Sequence, residues 1–554
     1  MVQPLFAVLA LAAAASGAFT GNLNYFSPSK HHASLGVSIN KVAKRTYANS
    51  HWDPARLNFT HGVASGDPLE DSVILWTRAA PSADNDRSNV TVSGYVPLYD
   101  HSSEPYVEKS DSPVCVDWKI SASTTLDPVV GAGAVYTSSD VDYTVKVEAR
   151  KLAPFTVYCE SALRPRSLAR PCVRNADAHD ADYQFSVCNS NNTSPVGRTK
   201  TIPAKGSKVD TPVKLAVYSC SNYRVADNTW RDGAAELNNT ENSFIADGGV
   251  SVDQRKMNAV RAYFEWMPIR QVDMDDNLRI WREFNFGDLF DLITDVYTNT
   301  DYIHAISNDA SRSLMGPRQE AWFYKTLRDS SSRGTAWRVV GNQIVFSRMN
   351  ESAALGDENP LNYDAWDGYQ ANRNRTFEVL YGDGVDNNIF LAGDSHASWV
   401  SDLVWLDEHD YDQATGAGSV GVEFAGSAVS SPCPIGQNTS LAAATAASAW
   451  LTDANRELQW QDLYYRGYYE LSIGYDAVNA SFFGIPTTRV MQGHEISLAN
   501  FTVLAGENRL HRWDGGSVVA GGVAESGSLK NGKVVSTNLT HDTATREYLT
   551  YNPL

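Results

Sequence analysis

The spacing of apolar residues changes once along the chain, near residue 204, and this change constrains the fold more than any other feature. Residues 57–204 contain short β-rich runs between turns, for example 72–77 and 143–148. Short strands at this spacing are typical of a β-sandwich of the immunoglobulin or fibronectin kind. We therefore predict an N-terminal β-sandwich domain over residues 45–204.

Beyond this point strands and helices alternate, which is typical of an α/β domain. A linker at residues 203–208 precedes the predicted elements: a strand at 213–218, helices at 252–266 and 316–328, and buried strands at 337–346 and 388–392. Later β-rich runs at 468–473 and 496–504 complete the predicted sheets. We place this α/β domain at residues 211–505, followed by a Gly- and Ser-rich tail at 506–554.

The N-terminus predicts export from the cell. An apolar run at residues 5–15 is followed by small residues, which is typical of a secretory signal peptide over 1–18, although no Lys or Arg precedes the run. No later stretch reaches the roughly 18 apolar residues of a membrane helix. Glycan acceptor sequons support a secreted glycoprotein, among them those at Asn58, Asn89, Asn350, Asn374, Asn479, Asn500 and Asn538.

The net charge limits the possible binding partners, and the cysteines bear on the redox compartment. The formal net charge of -18 argues against a nucleic-acid backbone or an anionic membrane as a partner. Of the six cysteines, Cys115 and Cys188 are a candidate disulfide within the N-terminal domain if the compartment is oxidising. The sequence alone leaves other pairings open.

The segment Gly393-Asp394-Ser395-His396 is the strongest chemical signal in the sequence. It follows the predicted strand at 388–392, so a carboxylate and an imidazole lie two residues apart at a strand's C-terminal end. Open α/β sheets bind ligands at that end, and oxygen and nitrogen ligands together suit a metal ion that activates water. The alternative is an Asx-turn beside a surface histidine.

Two further residues extend this candidate site. Cys220 ends the first predicted strand of the second domain, and Asn228 follows shortly afterwards. A thiolate, an amide oxygen, a carboxylate and an imidazole form a reasonable mixed set of metal ligands. The alternatives are a buried apolar thiol at Cys220 and a turn residue or helix cap at Asn228.

At this point the sequence resembles a known family. The run His-Gly-Val-Ala-Ser-Gly-Asp-Pro at 61–68, the run at 71–78, Ser219-Cys220, the run at 316–327 and Gly-Asp-Ser-His at 393–396 match, in order, PhoD-type alkaline phosphatases. The resemblance covers roughly residues 45–505. It implies an N-terminal β-sandwich with a calcineurin-like metallophosphatase domain, and hydrolysis of phosphomonoesters or phosphodiesters with Ca²⁺ and Fe³⁺.

The resemblance also implies roles for individual residues. Cys220 would bind iron as a thiolate, and Asn228 would bind calcium through its side-chain oxygen. Asp394 and His396 would complete the metal cluster or contact the phosphate of the substrate, and they are the candidate catalytic residues. The substrate would be a phosphate ester, and the sequence carries no signal for its identity or for the oligomeric state.

Three departures from the family pattern predict a weakened site. Family members carry Gly-Asp-Tyr-Ile-Tyr-Glu and Trp-Asp-Asp-His-Glu segments after Ser-Cys, whereas here Tyr223 leads directly into 224–233. The Leu-Asp-Thr-Arg run is absent after Ile293, and residues 159–182 interrupt a predicted strand. Without the bridging carboxylate two adjacent cations repel each other, so we expect poor folding or weak catalysis.

The departures leave other interpretations open. Mis-spliced exons or an incorrect gene model would explain them, and sequencing the transcript across codons 158–183 and 223–224 tests that hypothesis. The rival function is a non-catalytic secreted glycoprotein that retains the phosphatase scaffold. A third interpretation, a carbohydrate-binding β-sandwich with an accessory domain, is supported only by the 14 Trp residues.

Other charged residues are expected to be structural. Asp364 and Asp367 predict a turn with exposed charges, although both acids could instead lie near a metal. Arg338 and Arg348 predict surface salt bridges, with a phosphate contact as the alternative.

Overall fold

The structure is a computed structural model. It describes residues 22–25, 53–59, 61–81, 114–123, 125–138, 141–155, 181–220, 262–270, 281–294, 306–352, 360–436, 439–486, 488, 495–512, 518–521, 527–530, 532–535, 541–542 and 547–548. The predicted signal peptide at 1–18, Asn228 and most of the predicted insertion at 159–182 lie outside these residues.

The chain forms two compact units. One contains residues 1–204 and 227–280, and the other contains 205–226 and 281–554. The division at 204 falls where the apolar spacing changes, but the described residues 262–270 belong to the first unit. The predicted domain bounds of 45–204 and 211–505 therefore stay a prediction.

The first unit is built from antiparallel sheets. Its strands form a three-stranded sheet of order β2-β3-β7, a four-stranded sheet of order β6-β5-β8-β9, and the pair β1-β4. The strands are β1 (Leu57–Asn58), β2 (Val63–Gly66), β3 (Ser72–Arg78), β4 (Ala80–Pro81), β5 (Val114–Ser121), β6 (Val129–Thr137), β7 (Thr144–Arg150), β8 (Ala181–Val187) and β9 (Gly197–Thr199). A short 3₁₀ turn, Pro54–Arg56, precedes β1.

Both larger sheets of the first unit contribute to one hydrophobic core. Alternate side chains along each strand point inward, because successive residues of a strand face opposite sides of the sheet. The core includes Val73 and Leu75 of β3, Val145 and Val147 of β7, Val116 and Ile120 of β5, and Tyr183 and Phe185 of β8. Two sheets around one core agree with the predicted layering, and the relation to immunoglobulin or fibronectin domains stays a prediction.

A disulfide bond joins two strands of the four-stranded sheet. Cys115 in β5 and Cys188, directly after β8, are linked at an S–S distance of 2.09 Å. The predicted bridge is therefore confirmed. Among the described residues, Cys220 and Cys433 are free thiols.

The Gly-Asp-Pro run at 66–68 has a structural role in the first unit. A Cβ atom at Gly66 would lie 2.7 Å from the carbonyl oxygen of Pro268. The Asp67 carboxylate accepts a hydrogen bond of 2.5 Å from the backbone N–H of Arg270. The Arg270 guanidinium pairs with Glu148 at 2.9 Å. Glycine and aspartate at these positions therefore fasten residues 262–270 to the sheet.

Among its described residues, the second unit contains an eight-stranded sheet, a four-stranded sheet, two two-stranded sheets and three α-helices. The strands are β10 (Val213–Val217), β11 (Glu283–Phe286), β12 (Phe290–Thr294), β13 (Trp337–Gly341), β14 (Asn388–Ala392), β15 (Ser398–Asp402), β16 (Gly421–Ala425), β17 (Leu458–Asp462), β18 (Arg466–Ile473), β19 (Ala477–Ile485), β20 (Ile496–Leu504), β21 (Val518–Gly521), β22 (Ser528–Leu529), β23 (Gly532–Val535), β24 (His541–Asp542) and β25 (Glu547–Tyr548). The helices are α1 (Gly316–Ser332), α2 (Gln370–Phe377) and α3 (Leu441–Ala454).

The larger sheet has the order β11-β12-β13-β14-β16-β15-β17-β22. Strands β12, β13, β14 and β16 are parallel. Strands β14 and β16 are buried along their whole length, as expected for parallel strands covered on both faces. The helices pack into two apolar clusters, one with residues of α1 and α2 and one with residues of α3. The strand–helix alternation predicted from sequence is thus present.

The smaller sheet is antiparallel and has the order β10-β18-β19-β20. Strand β10 pairs with β18, so the first strand of the unit is not part of the larger sheet. A parallel bridge between Ser219 and Ala428 brings the chain after β10 to the end of β16. In the part of the chain that the structure describes, no helix is long and apolar enough to span a bilayer.

Candidate active site

Four segments meet at the carboxyl edge of the larger sheet, the edge at which β14 and β16 end. The backbone N–H of Gly393, after β14, donates to the Gln343 carbonyl at 2.9 Å. The N–H of Asp394 donates to the Ser219 hydroxyl at 3.2 Å. The N–H of Val429 donates to the Cys220 carbonyl at 2.9 Å. The sheet therefore brings Cys220 and the 393–396 segment together, as predicted.

The turn after β14 has an unusual backbone. Asp394 and His396 both have a left-handed conformation, with φ of 64° and 54°, which costs a non-glycine residue about 1–3 kcal/mol. Gly393 is required because a Cβ there would lie 2.4 Å from the Ser219 hydroxyl oxygen. Such backbone conformations persist when neighbouring contacts fix them, and they concentrate at functional sites.

A buried arginine holds this turn in place. The Arg466 guanidinium donates to the carbonyl of His396 at 2.7 Å, to that of Ser431 at 3.1 Å and to that of Leu463 at 2.8 Å. The side chain is only 7% exposed, and its burial lowers the pKa of the guanidinium. Arg466 therefore fixes the position of His396 through the backbone, a role that the sequence did not indicate.

The Cys220 and His396 side chains lie close together. The nearby His396 side chain is the largest influence that lowers the pKa of the Cys220 thiol, and a weaker contribution comes from the Ser219 hydroxyl, 3.4 Å from the sulfur. The Nδ1 atom of His396 lies 3.0 Å from the Pro432 carbonyl oxygen. Because a carbonyl only accepts, Nδ1 carries the hydrogen of this bond, and in the neutral imidazole the lone pair is then on Nε2. Backbone carbonyls orient metal-binding histidines in this way.

Two carboxylates lie near this pair. Although Asp394 is partly exposed, the surrounding protein raises its pKa, and the negative charge of Asp364 raises it further. Asp364 is half-buried, and its burial also raises its pKa. Asp364 therefore lies near the site, whereas the sequence predicted an exposed turn at this residue.

Two expectations about charged residues were wrong. Asp367 is buried rather than exposed, and its carboxylate pairs with Arg373 at 2.6 Å. Arg338 forms the predicted salt bridge, with Asp386 at 3.2 Å, but it is buried at 1% exposure and not on the surface. Its guanidinium also donates to the carbonyls of Thr335 and Ala336 at 3.0 and 3.1 Å. Periodicity does not distinguish these buried charges from surface charges, because only tertiary contacts provide their partners.

Comparisons with known proteins agree on one family. Residues 222–482 match the family model described as PhoD-like phosphatase, and residues 44–159 match the model of its N-terminal domain. Alkaline phosphatase D of Bacillus subtilis (strain 168) is 26% identical over 488 residues, covering 72% of this chain and 74% of that protein. The chain belongs to the PhoD-like phosphatase family.

Solved structures agree at the level of the fold. A structure titled "Structure of PhoD" superposes with a TM-score of 0.60 at 22% sequence identity, covering 83% of this chain and 93% of that one. A purple acid phosphatase from yellow lupin seeds gives a TM-score of 0.40 at 11% identity. The family models together with the first likeness support an N-terminal domain followed by a phosphatase domain.

The donor atoms of this PhoD-like site fit a metal ion only in part. Sulfur from Cys220, nitrogen from His396 and oxygen from Asp394 suit a transition metal. Among the described residues, however, the one group of three such side chains with ligand atoms within 4.8 Å of one another is Cys115, Asp117 and Cys188. Its sulfurs are joined in a disulfide and are not thiolates. The described site thus offers a neighbouring Cys–His pair with carboxylates near it, while Asn228 lies outside the described residues.

Proposed function

We propose that this PhoD-like protein is a secreted, metal-dependent hydrolase of phosphoric esters whose reaction centre contains Cys220, Asp394 and His396. The proximity of the Cys220 thiol and the His396 imidazole, on segments joined by backbone hydrogen bonds, carries this proposal. The pair lies at the carboxyl edge of the larger sheet, where α/β proteins place their ligands. Its histidine is oriented by a backbone carbonyl, as metal-binding histidines are.

The proposed ions are Fe³⁺ and Ca²⁺. The lowered pKa of the Cys220 thiol favours the thiolate, which together with Nε2 of His396 suits iron. Asp394 and Asn228 provide the hard oxygen ligands that suit calcium. Bound ions of this kind neutralise phosphate oxygens and lower the pKa of a coordinated water.

The chain's own residues keep this centre in one geometry. Arg466 holds the His396 carbonyl, Ser219 accepts from the Asp394 N–H, and Gly393 leaves room for the Ser219 hydroxyl. Ligands that are positioned before the substrate arrives need not reorganise during the reaction. Asp364 adds negative charge beside Asp394, which favours a bound cation.

We expect turnover to be weaker than in family members that retain the Gly-Asp-Tyr and Asp-Asp-His-Glu segments. Those segments contain the bridging carboxylate that this sequence lacks. A second candidate is therefore a non-catalytic glycoprotein that retains the scaffold. It is favoured because, among the described residues, Cys220, Asp394 and His396 do not form a group with all ligand atoms within 4.8 Å.

Secretion and glycosylation form the remaining part of the proposal. Asn479 and Asn500 are exposed on neighbouring strands β19 and β20, where Asn479 lies opposite Thr502 and Ser481 lies opposite Asn500. Each acceptor asparagine therefore faces the hydroxyl residue of the other sequon on an open sheet face. Thr376, the hydroxyl residue of the sequon at Asn374, is buried, so we expect glycans at 479 or 500 before 374.

Hydrolysis of bis(4-nitrophenyl) phosphate and 4-nitrophenyl phosphate by the purified full chain tests this function. We expect slow turnover that is lost after chelation and restored by Fe³⁺ with Ca²⁺. Turnover that survives exhaustive chelation would contradict a metal-dependent mechanism. A folded protein, by circular dichroism, without hydrolysis in either metal state would support the non-catalytic candidate.

A further inference from the structure

A cavity lies in the second unit, at the edge of the larger sheet remote from the candidate active site. It has a volume of about 360 Å³, within the range typical of small-molecule pockets. Glu457 lines it and directly precedes β17. Leu458 at the start of β17 pairs with Ser401, whereas Asp462 at its end pairs with Ser398, next to the active-site turn. A five-residue strand spans about 17 Å, so this cavity is separate from the proposed reaction centre.

The feature that distinguishes the cavity is a buried carboxylate without a hydrogen bond. Glu457 is 2% exposed, and among the described residues neither of its carboxylate oxygens has a hydrogen-bond partner. Buried charges in proteins are normally paired or hydrogen-bonded, because desolvation without compensation is unfavourable. An unpartnered carboxylate in the wall of a cavity is therefore suited to a ligand that brings donors.

Nearby cations are already engaged with other groups. The Lys530 ammonium attracts Glu457 electrostatically but donates to the carbonyls of Asn455 and Arg456. The Arg456 guanidinium donates to the Tyr411 carbonyl at 2.8 Å. Arg348 pairs with the exposed carboxylate of Asp407 at 2.8 Å. The Arg348–Asp407 pair leaves that part of the wall nearly neutral, and Glu457 keeps two acceptor oxygens for a ligand.

The cavity wall is fixed before any ligand binds. The backbone N–H of Asn350 donates to the Asn455 side-chain oxygen at 2.6 Å, and the Asn455 amide donates back to the Asn350 carbonyl at 3.1 Å. The Asn350 side-chain oxygen accepts from the Ser352 N–H at 3.0 Å. Both amide oxygens are thus occupied by backbone donors. A Ca²⁺ ion needs six to eight oxygen ligands, and these amides do not provide them.

The remaining wall is apolar. Pro360, Leu361, Leu406 and Ala454 line it. A ligand that fits both the Glu457 carboxylate and the apolar wall has one compact cationic donor group and a short apolar body. A cationic donor forms charge-assisted hydrogen bonds with a carboxylate, which are about twice as strong as neutral ones.

We propose that this cavity is a binding site for a small organic cation, an alkylammonium compound whose charged head contacts Glu457. The site is distinct from the phosphatase centre, and the proposal does not depend on catalysis. The buried Glu457 carboxylate binds the ammonium group of the ligand, and the apolar side chains of the wall contact its alkyl chain.

Ligand-observed NMR with the full chain and n-butylammonium chloride tests the proposal. We expect saturable binding that weakens at least tenfold in Glu457→Gln, which removes the charge and keeps the shape. Asp453→Asn is the matched control, because it removes an exposed carboxylate of α3 outside the cavity wall. Ala454→Phe, which narrows the cavity and keeps Glu457, is a second variant and is also expected to weaken binding.

Three results would overturn the proposal. One is the absence of saturable n-butylammonium binding to the wild-type chain. Another is equal affinity in Glu457→Gln and wild type. The third is binding of CaCl₂ or glycerol that competes with n-butylammonium and is lost in Glu457→Gln, which would assign the cavity to a metal ion or to a polyol.

Discussion

The turn at the carboxyl edge of the eight-stranded sheet and the Glu457 carboxylate at the opposite edge differ in their hydrogen bonds. At the carboxyl edge, the Asp394 N–H, the His396 carbonyl and the His396 ring each have a partner. At the opposite edge, the Glu457 carboxylate has no hydrogen-bond partner among the described residues. One edge therefore keeps strained residues in a single geometry, while the other leaves one charge for a ligand to satisfy.

This difference indicates two kinds of functional signal. Left-handed backbone at Asp394 and His396 is unfavourable and is retained because Arg466 and Ser219 hold it. The Glu457 carboxylate is unfavourable because it is desolvated. The first signal points to preorganised chemistry, and the second points to recognition. The predictions below test whether each edge behaves as this comparison requires.

The largest effect is expected at the Cys–His pair. Cys220→Ala and His396→Ala should each lower kcat/KM for the chromogenic phosphodiester by about a thousandfold, or to background, as expected when a metal ligand is removed. Cys433→Ala is the control, because this half-buried free thiol is not part of the proposed centre, and its kcat/KM should stay within about threefold of wild type. Substantial turnover in either ligand variant would remove the pair from the mechanism.

A large loss of stability is expected at Arg466. Arg466→Ala leaves the carbonyls of His396, Ser431 and Leu463 without their buried donor, which should lower the free energy of unfolding by about 3 kcal/mol. Arg348→Ala, which removes a surface pair, should cost less than about 1 kcal/mol. Urea unfolding measures both, and equal losses would contradict the special role of Arg466.

The pH dependence of stability should reveal Glu457. Burial raises its pKa from 4.5 to about 7, with Lys530 and Arg348 lowering it and Asp367 raising it. Between these values the folded chain holds a proton that the unfolded chain has lost, so stability falls as pH rises. Relative to Glu457→Gln, wild type should lose up to about 3 kcal/mol between pH 4.5 and 8. Parallel stability curves for wild type and Glu457→Gln would mean that the carboxylate is not desolvated.

The smallest effect is expected at the glycine of the turn. Gly393→Ala places a methyl group 2.4 Å from the Ser219 hydroxyl oxygen, which should lower the free energy of unfolding by about 1–3 kcal/mol. Gly382→Ala is the control, because a Cβ there meets no heavy atom within 4 Å, and its effect should stay below about 1 kcal/mol. A similar response to both substitutions would contradict the crowded packing at Gly393.

The sequence predicted those features that depend on local pattern. The apolar run before Gly393 forms β14, the late β-rich runs form β18 and β20, and Cys115 bonds to Cys188. The meeting of Cys220 with His396 was also predicted, because both were placed at strand ends. The strands depend on residues close in sequence, whereas Cys115 and Cys188 are 73 residues apart and Cys220 follows β10 of the antiparallel sheet.

Features that depend on distant contacts were not predicted. Arg466 reaches back 70 residues to the His396 carbonyl, and nothing in its own segment indicates this contact. Asp364 and Asp367 form one acidic run, yet the first lies near the site and the second is buried against Arg373. Glu457 resembles any polar residue before a strand, and only the packed structure shows that its carboxylate is enclosed.

Metal content measured by inductively coupled plasma mass spectrometry tests the central claim most directly. The wild-type chain and the Cys220→Ala and His396→Ala variants would be dialysed in parallel and compared at equal folded concentration. We predict about one iron per wild-type chain and a loss of most of it in both variants. Iron that is absent from the wild-type chain, or equally present in both variants, would contradict the claim that these side chains form a metal centre.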